Sequence, residues 1–391
     1  MNINVILLSL CQALLTTGNI LLVSVTALIG RQMAPSDVLI TLPVAMQFVG
    51  LMAATIPASL IMKKIGRKNG FYLGTSIGIG GAVACVLALD GSQFGLFCMG
   101  TFLLGIGIGF GTLYRFAAVE VCAPEQKNRA ISMVMAGGVL AAVAGPALAV
   151  SSQSWVQDIP FQGAFIGLLG LYVLALVLLS LIRIPPANSE EHSGPTRPIR
   201  EIIAQPNFIS AVVAGMVGYA VMNLLMTATP LAMQRCGYSF SAVATTIEWH
   251  VLGMFVPSFF TGSLVNRFGI KNIIYTGALL LIACIAVNMT GTSETHFFIA
   301  LLLLGVGWNF MFIPATQLLT GTYTPAEKAK SQAANEFLVF GMVTLSALSS
   351  GWLEATLGWY TMNWMMLPLV IWAAAVVWLM DRKQRQVEAV V

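Results

Sequence analysis

Apolar runs of eighteen or more residues recur along the whole of this 391-residue chain, and no other feature restricts its fold as strongly. Each run is long enough to cross about 30 Å of hydrocarbon. Lipid offers no water to a backbone N–H or C=O, so a spanning segment must satisfy its own polar groups and becomes a helix. Twelve spans are expected, near residues 4–29, 37–62, 70–89, 93–118, 131–152, 160–182, 206–232, 240–265, 272–290, 296–320, 331–353 and 359–380. Only 9% of the residues are charged, against about 25% in water-soluble domains, which excludes a soluble globular class. The first run follows MNIN, with no basic segment before it, and is too long for a secretory leader. It is expected to remain as a helix.

Charge sets the expected orientation. Sixteen of the nineteen Lys and Arg fall on one side: Lys63, Lys64, Arg67, Lys68, Lys127, Arg129, Arg183, Arg197, Arg200, Arg267, Lys271, Lys328, Lys330, Arg382, Lys383 and Arg385. Arg31 and Arg235 fall on the other, and Arg115 lies inside the fourth span. Basic residues stay with the cytoplasmic loops, so both termini are expected in the cytoplasm. The net charge of +4 therefore reports topology, and no nucleic-acid partner is read from it. The six cysteines show no CxxC or zinc spacing, and no disulfide framework is expected.

One long polar stretch, IPPANSEEHSGPTRPIRE at 184–201, interrupts the apolar pattern and reads as a cytoplasmic linker. It divides the chain into an N-terminal bundle of six helices (1–183), the linker (184–205) and a C-terminal bundle of six (206–391). Internal echoes support two like halves. ASLIMKKIGRK at 58–68 resembles GSLVNRFGIKN at 262–272, and LLGIG at 103–107 resembles LLGVG at 303–307. Parallel repeats about an axis along the membrane normal are a transporter architecture. The glycines of GIGIGFG (105–111) lie inside an apolar span, where they serve close helix packing and not a phosphate loop.

On these residues the chain resembles the major facilitator superfamily over essentially its whole length. The loop after the second span is similar to that family's conformational signature, carried here by Ala58, Leu60, Lys63, Gly66, Arg67 and Lys68. Gly262, Arg267 and Gly269 repeat it in the second half. The family's acidic residue is replaced by Met62, and its counterpart in the second half is Asn266. GPALA at 145–149 fits the family's Gly-Pro motif in the fifth span. The resemblance implies an all-α membrane protein of twelve transmembrane helices in two pseudo-symmetric bundles, working by alternating access.

Spans 7 and 8 carry a second pattern. MNLLM places Met222 and Met226 one helical turn apart, and HVLGM does the same for His250 and Met254. Counted from the turn at Gly237, Met226 lies 11 residues before and His250 13 after, while Met222 lies 15 before and Met254 17 after. The two pairs are therefore expected at one depth, facing each other across the hairpin. Thioethers with one imidazole are soft, uncharged donors that select Cu(I) over harder ions. Methionine also fills cores without further meaning, and the chain has twenty. Histidine is the sharper signal, because of three only His250 lies inside a span, and an ionisable residue in lipid marks a functional site. The double motif resembles that of CcoA-type copper importers, a branch of the superfamily. That resemblance implies inner-membrane uptake of copper for cytochrome oxidase assembly, with Met222, Met226, His250 and Met254 holding the ion.

Other candidates stand beside this set. Met233 and Cys236 read as an entry relay or as plain packing. Glu248, Arg115 and Glu336 are candidates for proton coupling or gating, although Glu248 and His250, two apart, do not share a helix face. Asn19, Asn309 and Gln317 are polar residues in spans, placed to tie helices together. The expected protein is a monomeric copper transporter in the lipid bilayer, with copper as substrate, no other cofactor and no enzymatic chemistry. Two alternatives stay open: a proton-coupled porter of a small organic compound or drug, and a membrane sensor or scaffold that binds copper without moving it.

Overall fold

A computed structural model describes residues 2–114, 117, 118, 121, 127–184 and 196–388, and helix is the only regular secondary structure among them. The first half contains α1 (Ile3–Met33), α2 (Leu42–Ile65), α3 (Arg67–Asp90), α4 (Phe94–Gly111), α5 (Lys127–Ser151) and α6 (Gln162–Leu181). A short turn of helix, Ile199–Ile203, leads into α7 (Pro206–Arg235), α8 (Phe240–Phe255), α9 (Ser258–Phe268), α10 (Ile270–Thr290), α11 (Glu294–Thr320) and α12 (Lys328–Glu388).

Nine helices among the described residues are long and apolar enough to cross a membrane. The difference from twelve expected spans has three sources. The fifth span forms α5, which is not among the nine. The eighth is cut into α8 and α9 at Val256–Pro257, where the proline ring removes a donor and crowds the carbonyl four residues back. The last two run together as α12, which leaves helical geometry only at Gly358 (φ 75°, ψ 168°). Large apolar side chains that water would drive inward lie outside, among them Leu140 (65% exposed), Leu279 (64%) and Phe337 (63%). Such an apolar exterior suits a lipid-facing surface.

The chain forms two compact units. The first holds residues 1–187 together with 227–248 and 347–352. Within it an apolar cluster gathers Leu8, Ala58, Met62, Phe71, Phe110, Tyr114, Val134 and Leu179. Arg31 donates from Nη1 to the Leu231 carbonyl at 3.1 Å, and Thr41 Oγ1 donates to the Leu348 carbonyl at 3.0 Å. The second unit holds 188–226, 249–346 and 353–391. Its apolar cluster joins Ile202, Phe208, Val212, Leu318 and Leu319.

The glycines of α4 act as expected. A Cβ on Gly105 would fall 1.9 Å from the Gln47 carbonyl oxygen of α2, and one on Gly107 would fall 2.9 Å from that of Gly74 in α3. Backbones meet there because no side chain intervenes. Two hundred residues later the pattern returns, with a Cβ on Gly305 only 2.2 Å from the His250 carbonyl oxygen.

The loops that carry the family signature are two copies of one joint. Gly66 (φ 87°, ψ 154°) ends α2 and opens α3, and Gly269 (φ 86°, ψ 148°) ends α9 and opens α10. Side chains rarely tolerate that backbone region. Two residues on, Lys68 donates to the Ser180 and Ile182 carbonyls at 2.9 and 2.7 Å, capping the end of α6. Lys271, also two residues on, pairs with Asp381 of α12 at 2.5 Å. One further on, Asn69 and Asn272 each reach back across their glycine to the Ile65 and Phe268 carbonyls. The joints superpose at an offset of 203 residues, not 204, since the second loop is one residue shorter before its glycine. Where the family carries an acid, Met62 is buried (3% exposed), its Cγ 2.3 Å from where a Cβ on Gly70 would lie. An apolar plug fills that position.

Candidate functional site

His250, Met254, Ser258 and Thr261 succeed one another at helical spacing along α8 and α9, and the structure gives this stripe α11 as its partner. His250 is fully buried, and its Nδ1 lies 2.8 Å from the Leu301 carbonyl. That acceptor assigns the proton to Nδ1. Its Nε2 is buried without a hydrogen-bond partner. One turn on, beside the proline break, the Met254 carbonyl draws its donors from side chains, one of them Ser258 Oγ at 3.5 Å. Asn309 of α11 supplies the other, from Nδ2 at 2.7 Å. The same nitrogen lies 2.6 Å from Ser258 Oγ, and Thr261 Oγ1 donates to Asn309 Oδ1 at 2.6 Å. Backbone groups near a helix break in hydrocarbon need partners, and Asn309 is the shorter of the two that Met254 has.

Met222 and Met226 of α7 are buried at 1% and 7% exposure, and Met254 at 8%. All four expected ligands are therefore interior and belong to the second unit. Among the described residues no three His, Cys, Asp or Glu side chains converge as a metal site. A metal here would depend on thioethers with His250.

The remaining candidates fall in different places. Met233 is fully buried, whereas Cys236 is an exposed free thiol at the hairpin turn. Glu248 and Glu336 are both half-buried. Arg115 lies outside the described residues. Ala58 is buried in the first apolar cluster, Arg67 opens α3, Gly262 has open space beside it, and Arg267 lies over the Phe268 ring at 5.2 Å. Asn19 and Asn309 tie helices as expected, Asn19 by accepting from Gln47 Nε2 at 2.6 Å. Gln317 is exposed.

Sequence reading missed two constellations. One lies inside the MNLLM stretch itself. Asn223 is fully buried, its Nδ2 donating to the Val343 carbonyl at 3.3 Å and Ser346 Oγ at 3.1 Å. One turn before it, Tyr219 meets three rings edge-on: Trp308 at 5.5 Å, Phe312 at 5.3 Å and Phe340 at 5.9 Å. A lone polar residue in an apolar span was the available signal.

The other fastens the linker. Arg197 grips Glu327 with Nε and Nη2, at 2.9 and 2.7 Å, and its backbone N–H donates to the same carboxylate at 2.7 Å. Glu327 also accepts from the Thr324 N–H at 3.0 Å, and Lys330 bonds the Arg197 carbonyl. The Arg197 hydrogen bonds, with that of Thr324, hold the Glu327 carboxyl well below the usual carboxylate range. No spacing in the sequence announces a pair 130 residues apart.

The sequence profile of the Major Facilitator Superfamily matches residues 8–342. A riboflavin transporter, RfnT of Brucella anthropi, is 38% identical over 369 residues, 94% of this chain and 93% of that protein. An uncharacterized MFS-type transporter, YdeG of Bacillus subtilis, is 28% identical over 374 residues, or 90% and 87% of the two chains. The multidrug resistance protein MdtL of Salmonella dublin is 24% identical over 344 residues, or 86% and 83%. A crystal structure of a bacterial homologue of the human lysosomal transporter Spinster, inward-facing and occupied, aligns with a TM-score of 0.74. It covers 97% of this chain and 96% of its own at 17% identity, a likeness of fold. The copper-importer branch expected from the double motif gains no support from these relatives.

Proposed function

The chain belongs to the Major Facilitator Superfamily, and from that premise we propose that it is a secondary transporter of riboflavin or a close chemical relative. The single observation that carries this reading is the 38% identity to a riboflavin transporter across nearly the full length of both proteins. The organic-compound alternative raised by the sequence thus becomes the principal reading. Transport is by alternating access across the cell inner membrane, with both termini cytoplasmic, as the one-sided placement of basic residues requires. His250 is the coupling group in this reading, because its buried Nε2 has no other partner.

Copper import is the second reading, favoured by that same unpartnered nitrogen with Met254 one turn on and Met222 and Met226 also buried. One reconstitution separates the two. Purified protein in proteoliposomes is given riboflavin, read by fluorescence, or Cu(I), read as luminal metal. Saturable riboflavin accumulation that changes less than about twofold in Met222→Leu, a volume-conserving swap, is the expected result. Copper accumulation without riboflavin uptake, abolished by Met222→Leu and by His250→Gln, would reverse the assignment. Copper bound but not accumulated would make the protein a sensor or scaffold.

A further inference from the structure

Three helices of the second unit bring four aromatic rings together. Tyr219 comes from α7, Trp308 and Phe312 from one face of α11 a turn apart, and Phe340 from α12. Trp308 and Phe312 stack at 5.0 Å with their planes 13° apart, and Tyr219 stands edge-on to both and to Phe340. Ring clusters are ordinary in cores, and two features set this one apart. Tyr219, Phe312 and Phe340 are only half-buried, so the cluster is incompletely covered by protein. Trp308, in contrast, is 6% exposed, yet its Nε1–H has no hydrogen-bond partner.

A buried indole N–H left unpaired costs about 1–3 kcal/mol, and a phenylalanine would fill a purely structural position without that cost. The polar layer one turn along α7 shows a second vacancy. Asn223 has its amide nitrogen engaged, but its buried Oδ1 accepts from nothing. The group therefore offers an aromatic wall, one free donor and one free acceptor. That combination fits a planar heteroaromatic ring carrying both a hydrogen-bond acceptor and an N–H.

We propose that Tyr219, Asn223, Trp308, Phe312 and Phe340 form the binding subsite for the ring portion of the transported molecule, a planar heteroaromatic with both hydrogen-bonding senses. The ring packs against Tyr219, Phe312 and Phe340, Trp308 Nε1 donates in the indole plane to its acceptor, and Asn223 Oδ1 accepts from its N–H. This assignment rests on the reading of the protein as a carrier of a riboflavin-like compound, and it adds where and by what contacts the ring is held.

The test uses full-length protein in nanodiscs and lumichrome, the bare tricyclic flavin ring without a ribityl chain, followed by quenching of its fluorescence. Wild-type protein is expected to quench lumichrome saturably. Trp308→Phe, which keeps the ring and removes the donor, weakens binding roughly tenfold. Phe312→Leu weakens it about fivefold. Both variants should melt within a few degrees of wild type when unliganded. Should Trp308→Phe not fold, Phe340→Leu at a half-covered ring takes its place, with a loss of about fivefold. Unchanged affinity in folded variants overturns the subsite. So does absence of lumichrome binding to wild type. Riboflavin uptake in proteoliposomes separates the two claims: if it persists in either case, only the subsite falls, and if it is also absent, both fall.

Discussion

Asn309 occupies the point where Pro257 has opened a helix, and it satisfies Met254, Ser258 and Thr261 at once. Interhelical side-chain bonds in membranes are worth roughly 0.6 kcal/mol each, so Asn309→Leu should cost about 2 kcal/mol. The readout is the thermal unfolding of purified protein in detergent, with Gln317→Leu, at an exposed position, as the neutral control. The sequence marked Asn309 as a helix tie, because a polar group inside a span needs a partner. It did not say which helix would receive it. His250 stood out for the same reason, but counting residues from the turn assigned its face to the other arm of the hairpin. The structure adds a partner that counting did not offer, the Leu301 carbonyl of α11 at Nδ1. Depth along a helix follows from counting; rotation about its axis relative to several neighbours does not.

Pairs of elements are held by backbone approach and by matched joints. Gly305 is the contact between α8 and α11, and a Cβ there would sit 2.2 Å from the His250 carbonyl oxygen. A backbone oxygen cannot swing aside, so Gly305→Ala forces the helices apart and strains the His250–Leu301 bond. The expected cost is about 2 kcal/mol, with a matching fall in riboflavin uptake. Gly262→Ala, with nothing within 4 Å of the added methyl, should be neutral or slightly stabilising by helix propensity. Equal behaviour of the two variants would remove close approach as the role of Gly305. The glycine-rich run in α4 was legible as packing because lipid gives no use for a phosphate loop. The joint at Gly269 was legible only in outline, since one missing residue shifts its register and the equivalence of Lys68 with Lys271 emerges from the contacts.

At the scale of the whole chain, the polar linker does not simply float between two halves. Its end is fastened within the second unit by the Arg197–Glu327 clamp. The carboxyl of Glu327 is held below its ordinary range, chiefly by Arg197. Its contribution is therefore present above the ordinary carboxylate pKa of about 4 and lost as pH falls below it. Hydrogen exchange, corrected for intrinsic rates, should show the Arg197 and Thr324 amides protected at neutral pH and progressively released in acid. Glu327→Gln should bring that release to neutral pH, with exchange roughly tenfold faster at both amides. Unaltered protection in the glutamine variant would show that the clamp does not order this segment.

The sequence by itself determined the solvent and the helical class, because a backbone in hydrocarbon has one economical way to satisfy its polar groups and only long apolar runs can supply it. It also marked the family signature, whose glycines and lysines are local. Only the tertiary structure decided which residues share a site. Tyr219, Trp308 and Phe340 lie far apart along the chain and become neighbours through the rotation and packing of three helices. No local pattern encodes that geometry, since the apolar periodicity of a span buried on several faces leaves its orientation undetermined.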